Sequence, residues 1–91
     1  MQIQRYGLRI VGLHDQVDWQ PRLLELAGAE RVLCHIQAVS SEAIELEVEA
    51  TCAGLETIGY EILYGALGYA PRFVIVQNPD RHTYHLRQAA G

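Results

Sequence analysis

The sequence predicts an α+β fold, a single antiparallel sheet covered on one face by two helices. Three observations predict it. Residues 31–50 read as a β-hairpin, because Ile44, Leu46, Val48 and Ala50 alternate with Glu45, Glu47 and Glu49. Two stretches of helical spacing, one starting near residue 18 and one over 53–68, separate the strand-like segments. Alternating stretches at 2–11, 72–77 and 82–87 complete the order β-α-β-β-α-β, with one further strand at the carboxyl end.

Taken in order, the first strand places Tyr6, Leu8 and Ile10 on one face and Arg5, Gly7 and Arg9 on the other. Residues 12–16 form a loop. Asp15 is one candidate cap for the first helix, with Asp18 in the first turn. The alternative is Asp18 as the cap, with Pro21 in the first turn, where proline is tolerated. Trp19, Leu23 and Leu26 make the apolar stripe, flanked by Leu24 and Ala27, and Gly28 reads as the helix terminator. In the hairpin, Val32, Cys34, Ile36 and Ala38 form the inward set. Both inward sets are even-numbered, so an odd loop, Ser40-Ser41-Glu42, is expected. It pairs Ile36 with Leu46, Cys34 with Val48, His35 with Glu47 and Gln37 with Glu45.

The second helix, 53–68, carries the core stripe Leu55, Ile58, Ile62 and Ala66 and a second apolar side, Tyr60, Leu63, Tyr64 and Leu67. Its Gly59 and Gly65 each cost about 1 kcal/mol against alanine in a helix interior. Close approach of another element would account for them. Asn78-Pro79-Asp80-Arg81 has the chemistry of a type I turn. With Gln77 facing His82, Phe73 meets Leu86 and Ile75 meets Tyr84 as inward pairs, leaving Val74 and Val76 to join Leu33 and Val39 on the outer face.

The fold solution for this order is the ferredoxin-like sandwich. Right-handed crossovers give the sheet order 4-1-3-2, with the fifth strand at the edge beside strand four. Arg5 and Arg9 then lie beside Glu45, Glu47 and Glu49, as neighbouring strands require. The 91 residues form one domain, 1–91, with the last few residues frayed.

Composition bounds the function classes. A hydrophobic content of 49% fits a folded domain, and a net charge of −4 argues against a general polyanion binder. All seven basic residues are arginine. The outward positions of strands one and three hold arginines and glutamates instead of base-stacking aromatics, so no nucleic-acid partner is expected. No apolar run reaches membrane-spanning length, and the first residues, Met1 to Gly7, lack the apolar stretch of a secretory signal. A cytoplasmic protein with no membrane association is expected.

The candidate chemistry is sparse. Cys34 reads as a core residue. Cys52, near the start of the second helix, is the thiol better placed for reactivity. The two cannot share a disulfide or a metal, since Cys34 faces Val48, roughly 13 Å from Cys52 at about 3.3 Å per residue. On a strand His82 and His85 point to opposite faces, so no metal site and no cofactor is expected. His35 with Glu47 is a candidate acid–base pair on the open sheet face, beside the plainer reading of a cross-strand polar pair. His14, Asp15 and Asp18 form a candidate ligand site in and after the first loop, beside the plainer reading of helix capping. Tyr60, Leu63, Tyr64 and Leu67 are the candidate interface, since tyrosine has an apolar body and a polar tip.

The reading that follows is a non-enzymatic module, either binding a small regulatory ligand or engaging a protein, and acting as a homo-oligomer. Its alternative is a small dimeric enzyme with His14 or His35 as general acid/base in a cleft. A third is a structural subunit of a larger assembly.

Overall fold

A computed structural model of the chain describes residues 2–12 and 18–87. The elements run β1 (Gln4–Val11), α1 (Trp19–Ala29), β2 (Leu33–Val39), β3 (Ala43–Ala50), α2 (Cys52–Leu63), β4 (Phe73–Gln77) and β5 (Thr83–Leu86). The strands form one antiparallel sheet in the order β2-β3-β1-β4-β5, the order expected from the crossovers. The chain is thus α+β, an open five-stranded sheet with two helices. No helix of the described residues is long and apolar enough to cross a membrane.

Strand alternation sets the core. Tyr6, Leu8 and Ile10 of β1, Ile44, Leu46, Val48 and Ala50 of β3, and Val74 and Val76 of β4 are all buried. They pack against Leu23 and Ala27 of α1 and Leu55, Ile58, Ile62 and Leu63 of α2. On the outer face the charges meet as expected. Arg5 lies opposite Glu49 and Arg9 opposite Glu45 in the β1–β3 register. Arg5 Nε is 3.1 Å from Glu49 and 3.6 Å from Glu47, and Arg9 Nε is 3.6 Å from Glu45.

Both helices end in the same motif. In α2, Gly65 stands at φ 100° and its N–H donates to the Ile62 carbonyl, while the Ala66 N–H donates to Glu61. This is a Schellman stop, so the helix ends at Leu63 and not at residue 68. Gly65 is a terminator, not an interior glycine. In α1 the same bonds run from Arg31 to Gly28 and from Val32 to Ala27, with Arg31 at φ 57°. Gly28 therefore lies inside the helix, and Arg31 takes the left-handed position expected of a glycine. At the other end Asp18 occupies the cap position without a side-chain cap bond, and Pro21 lies in the first turn. Thr51 caps α2 by accepting from the Gly54 N–H at 3.1 Å.

Both hairpins depart from their expected registers. Cys34 pairs with Val48, His35 with Glu47 and Ile36 with Leu46, as read from the sequence. A β-bulge then follows Ile36, and Ala38, not Gln37, pairs with Glu45. The Ser40 N–H donates to the Ala43 carbonyl, so the loop is the pair Ser41-Glu42. An even loop reverses parity, and the extra residue of the bulge restores it. Beyond the bulge Val39 pairs with buried Ile44, so it belongs to the inner side of the sheet and not the outer. Ile36 and Val39 are nonetheless exposed, as is Ala38.

In the second hairpin the Arg81 N–H donates to the Asn78 carbonyl, closing the expected type I turn. Arg81 itself stands at φ 67°, and Asn78 pairs onward with His82. The loop is Pro79-Asp80-Arg81, one residue shorter than the sequence reading. Val74 consequently pairs with Leu86 and Val76 with Tyr84. That shift turns Val74 and Val76 inward and leaves Phe73 and Ile75 outward, the reverse of the expectation.

Candidate functional site

The outer face of the sheet is a shallow open groove of about 930 Å³. Gly7 lies on its floor, directly across from Glu47 on one side and Gln77 on the other. A methyl group on Gly7 would touch the Gln77 side chain at 3.3–3.4 Å, so the amide leans over the gap. Arg5 and Arg9 flank the floor, and Arg81 and His85 line the far side. His85 stacks on Phe73 with ring centroids 5.1 Å apart. Charges of both signs, an amide and an imidazole thus face a wide, wet concavity.

The acid–base candidate lies on this same face. His35 and Glu47 are directly opposed, as expected. The Glu47 carboxylate is held by Gln37, whose amide nitrogen donates at 3.5 Å, and by Arg5 at 3.6 Å. The pair is a surface polar ladder in open solvent. His85 is exposed on the same face, and His82 sits in the β4–β5 turn, 3.5 Å from the Asp80 carboxylate. Among the described residues no group of histidine, cysteine and carboxylate side chains has the geometry to hold a metal ion.

The first-loop candidates divide. His14 and Asp15 lie outside the described residues. Asp18 is exposed at the start of α1. The interface candidates divide too. Leu63 and Leu67 are fully buried and belong to the monomer's own core, which is a correction to the sequence reading. Ending α2 at Leu63 turns the following segment back over the sheet and takes Leu67 inward. Tyr60 and Tyr64 remain exposed.

Cys34 is half-buried on the inner face of β2, and burial raises its thiol pKa. Cys52 is exposed as the first residue of α2. It adjoins a smaller cleft formed with Gln4, Tyr6 and the Asn78–Asp80 turn. The Tyr6 hydroxyl there bonds Gln4 Oε1 at 3.2 Å. Burial, then the neighbouring Cys52 and Glu56, raise the Tyr6 pKa.

Sequence reasoning put Leu33 and Val39 in an apolar outer surface with Val74 and Val76; only Leu33 lies there, and what it missed is that Ile36 and Val39 are exposed on the inner side of β2. Leu33, Ile36 and Val39 are exposed at 62%, 42% and 52%. The alternation signalled a strand with a buried face. It carried no signal that the inner side of this strand, at Ile36 and Val39, reaches past the cover of the helices. No protein-family model matches the chain, and no curated protein matches its sequence. The class the structure defines is an α+β domain with an open antiparallel sheet and two helices on one side.

Proposed function

We propose that this is a ferredoxin-like module that works by binding, as a homo-oligomer or against a protein partner, in the cytoplasm. The β-α-β-β-α-β order, with its central β1 and edge β2, supports the fold assignment. Two free cysteines suit a reducing compartment. The observation that carries the binding reading is the distribution of exposed apolar side chains. Of the seven large hydrophobics exposed among the described residues, three lie on β2, Ile36 and Val39 on its inner side and Leu33 on its outer side, and Leu24 lies on α1, the helix that contacts β2. Apolar residues gathered in this way mark interaction surfaces. The groove lined by Glu47 and His85 lies on the same sheet face as His35, and it supports the alternative, a small dimeric enzyme with His14 or His35 as general acid/base, only if a second subunit closes it and excludes water.

Sedimentation velocity from micromolar to near-millimolar chain tests the reading. The average mass is expected to rise above the 10.2 kDa of a single chain. A constant mass of one chain throughout would overturn self-association.

A further inference from the structure

We infer that β2 is a self-pairing edge, and that two copies of the chain join their sheets through antiparallel β2–β2 contact about a two-fold axis at His35. The inference rests on the self-association proposed above and names its surface. Among the described residues β2 pairs only with β3, so its other edge presents unpaired backbone N–H and C=O groups. Natural sheet edges are guarded by charge, proline, short length or a bulge. At the opposite edge β5 is four residues long and is followed by Arg87. By contrast β2 is seven residues long, Leu-Cys-His-Ile-Gln-Ala-Val, with no proline, carboxylate, lysine or arginine. Its one guard is the bulge after Ile36.

The bulge also selects the register. Paired residues in an antiparallel ladder share a face. Cys34 and Ile36 point inward, opposite Val48 and Leu46, while Leu33 and His35 point outward, opposite Glu49 and Glu47. Gln37 is outward as well, because its amide reaches Glu47. A two-fold at His35 therefore matches Leu33 with the second copy's Gln37 and Cys34 with its Ile36, so that Leu33–Gln37, the stretch before the bulge closes, pairs on common faces. Moving the axis to Ile36 would set inward Cys34 against Ala38, which pairs with outward Glu45, and the faces would clash. The His35 register brings no two formal side-chain charges of like sign together on the strand. It covers Ile36 and completes the burial of Cys34. Main-chain bonds supply the association and the matched side chains its specificity, the logic of strand addition.

The test is cysteine cross-linking of the full chain with Cys34→Ala and Cys52→Ser as background. His35→Cys is expected to form a disulfide dimer under mild oxidation, because directly paired strand residues lie within disulfide reach. Thr83→Cys on the opposite edge is expected to stay uncross-linked. Separately, Ile36→Lys in the otherwise native chain should weaken association at least tenfold, while Glu61→Gln, exposed on α2, should leave it unchanged. Association that survives Ile36→Lys, with no cross-link at position 35, overturns edge pairing and leaves the binding reading standing. Absence of association in the native chain overturns both. Circular dichroism of Ile36→Lys guards against unfolding, since the side chain it replaces is 42% exposed.

Discussion

At Arg31 the backbone stands at φ 57°, where a side chain is disfavoured and glycine is not. The residue is held there because the Schellman bonds from Arg31 and Val32 close the last turn of α1, and Val32 and Ala27 are both buried beside them. Gly28, three positions earlier, has helical backbone, and a methyl group added to it would meet nothing within 4 Å. The two residues are in each other's natural places. Arg31→Gly and Gly28→Ala are each expected to stabilise the fold by roughly 0.5–1 kcal/mol, read as raised denaturation midpoints. A lowered midpoint for Gly28→Ala would mean that Gly28, and not Arg31, sits at the left-handed position. Gly59 is the opposite case. A methyl group there would lie 2.5 Å from Leu86 Cδ1, and Leu86 is buried. This is the close approach that explains a glycine in the middle of α2. Gly59→Ala alone should therefore fail to stabilise, because overpacking offsets about 1 kcal/mol of helix propensity. Combined with Leu86→Val, which removes the clashing atom, the same alanine should recover that gain. Additive effects of the two changes in a denaturant double-mutant cycle would refute the contact.

At the scale of elements, the two hairpins show what was legible in the sequence and what was not. The glutamate alternation of β3 and the order of elements were enough to place Arg5 and Arg9 beside Glu49 and Glu45, because a period of two and a crossover rule fix both the face and the neighbour. Loop geometry was not legible at the level of one residue. The bulge after Ile36 costs nothing in composition, and Arg81 at φ 67° stands where Gly or Asn would have announced a three-residue loop. Since one residue reverses every face, that single unmarked position was enough to exchange Val74 and Val76 for Phe73 and Ile75. The same limit applied to the candidate site. Helical spacing identified a second apolar side on α2. It gave no sign that Gly65 would stop the helix and fold Leu67 into the core beside Leu63. Arg81→Gly is accordingly expected to stabilise the β4–β5 hairpin by about 1 kcal/mol, with Asn next best, measured by thermal unfolding. If Arg81→Gly were destabilising, the three-residue loop, and with it the inward assignment of Val74 and Val76, would be wrong. The outer-face ion pairs belong to this scale as well. Arg5 is 72% exposed at its side chain, so Arg5→Gln should cost well under about 1 kcal/mol, and that small effect should shrink further in high salt.

For the molecule as a whole, the buried ionisable groups point in one direction of pH. No charged side chain is buried among the described residues. The groups held away from water are neutral acids instead. Burial raises the pKa of Tyr6, Tyr69 and Tyr84 above their ordinary 10.0 and that of Cys34 above 9.0. Around Tyr84 the charges of Glu56 and Cys52 add to the effect. In the unfolded chain these groups lose their protons first, so above pH 9–10 the unfolded state binds fewer protons than the folded one. Stability is then fully present below the ordinary values and falls as pH rises through the raised ones. The domain should unfold in alkali while tolerating mild acid. Tyr69 isolates the effect, because burial is the sole cause of its shift and its hydroxyl is buried with no hydrogen-bond partner. An unpartnered buried hydroxyl costs about 1–3 kcal/mol. Tyr69→Phe is therefore expected to raise the melting temperature at neutral pH and to flatten the alkaline decline by one titrating group. The check is a series of melting curves from neutral pH to about pH 11, on the native chain and on Tyr69→Phe. A variant less stable at neutral pH would show that the hydroxyl has a partner in solution. An unchanged alkaline slope would show that Tyr69 titrates alike in both states, and would reassign the decline to Tyr6, Tyr84 and Cys34.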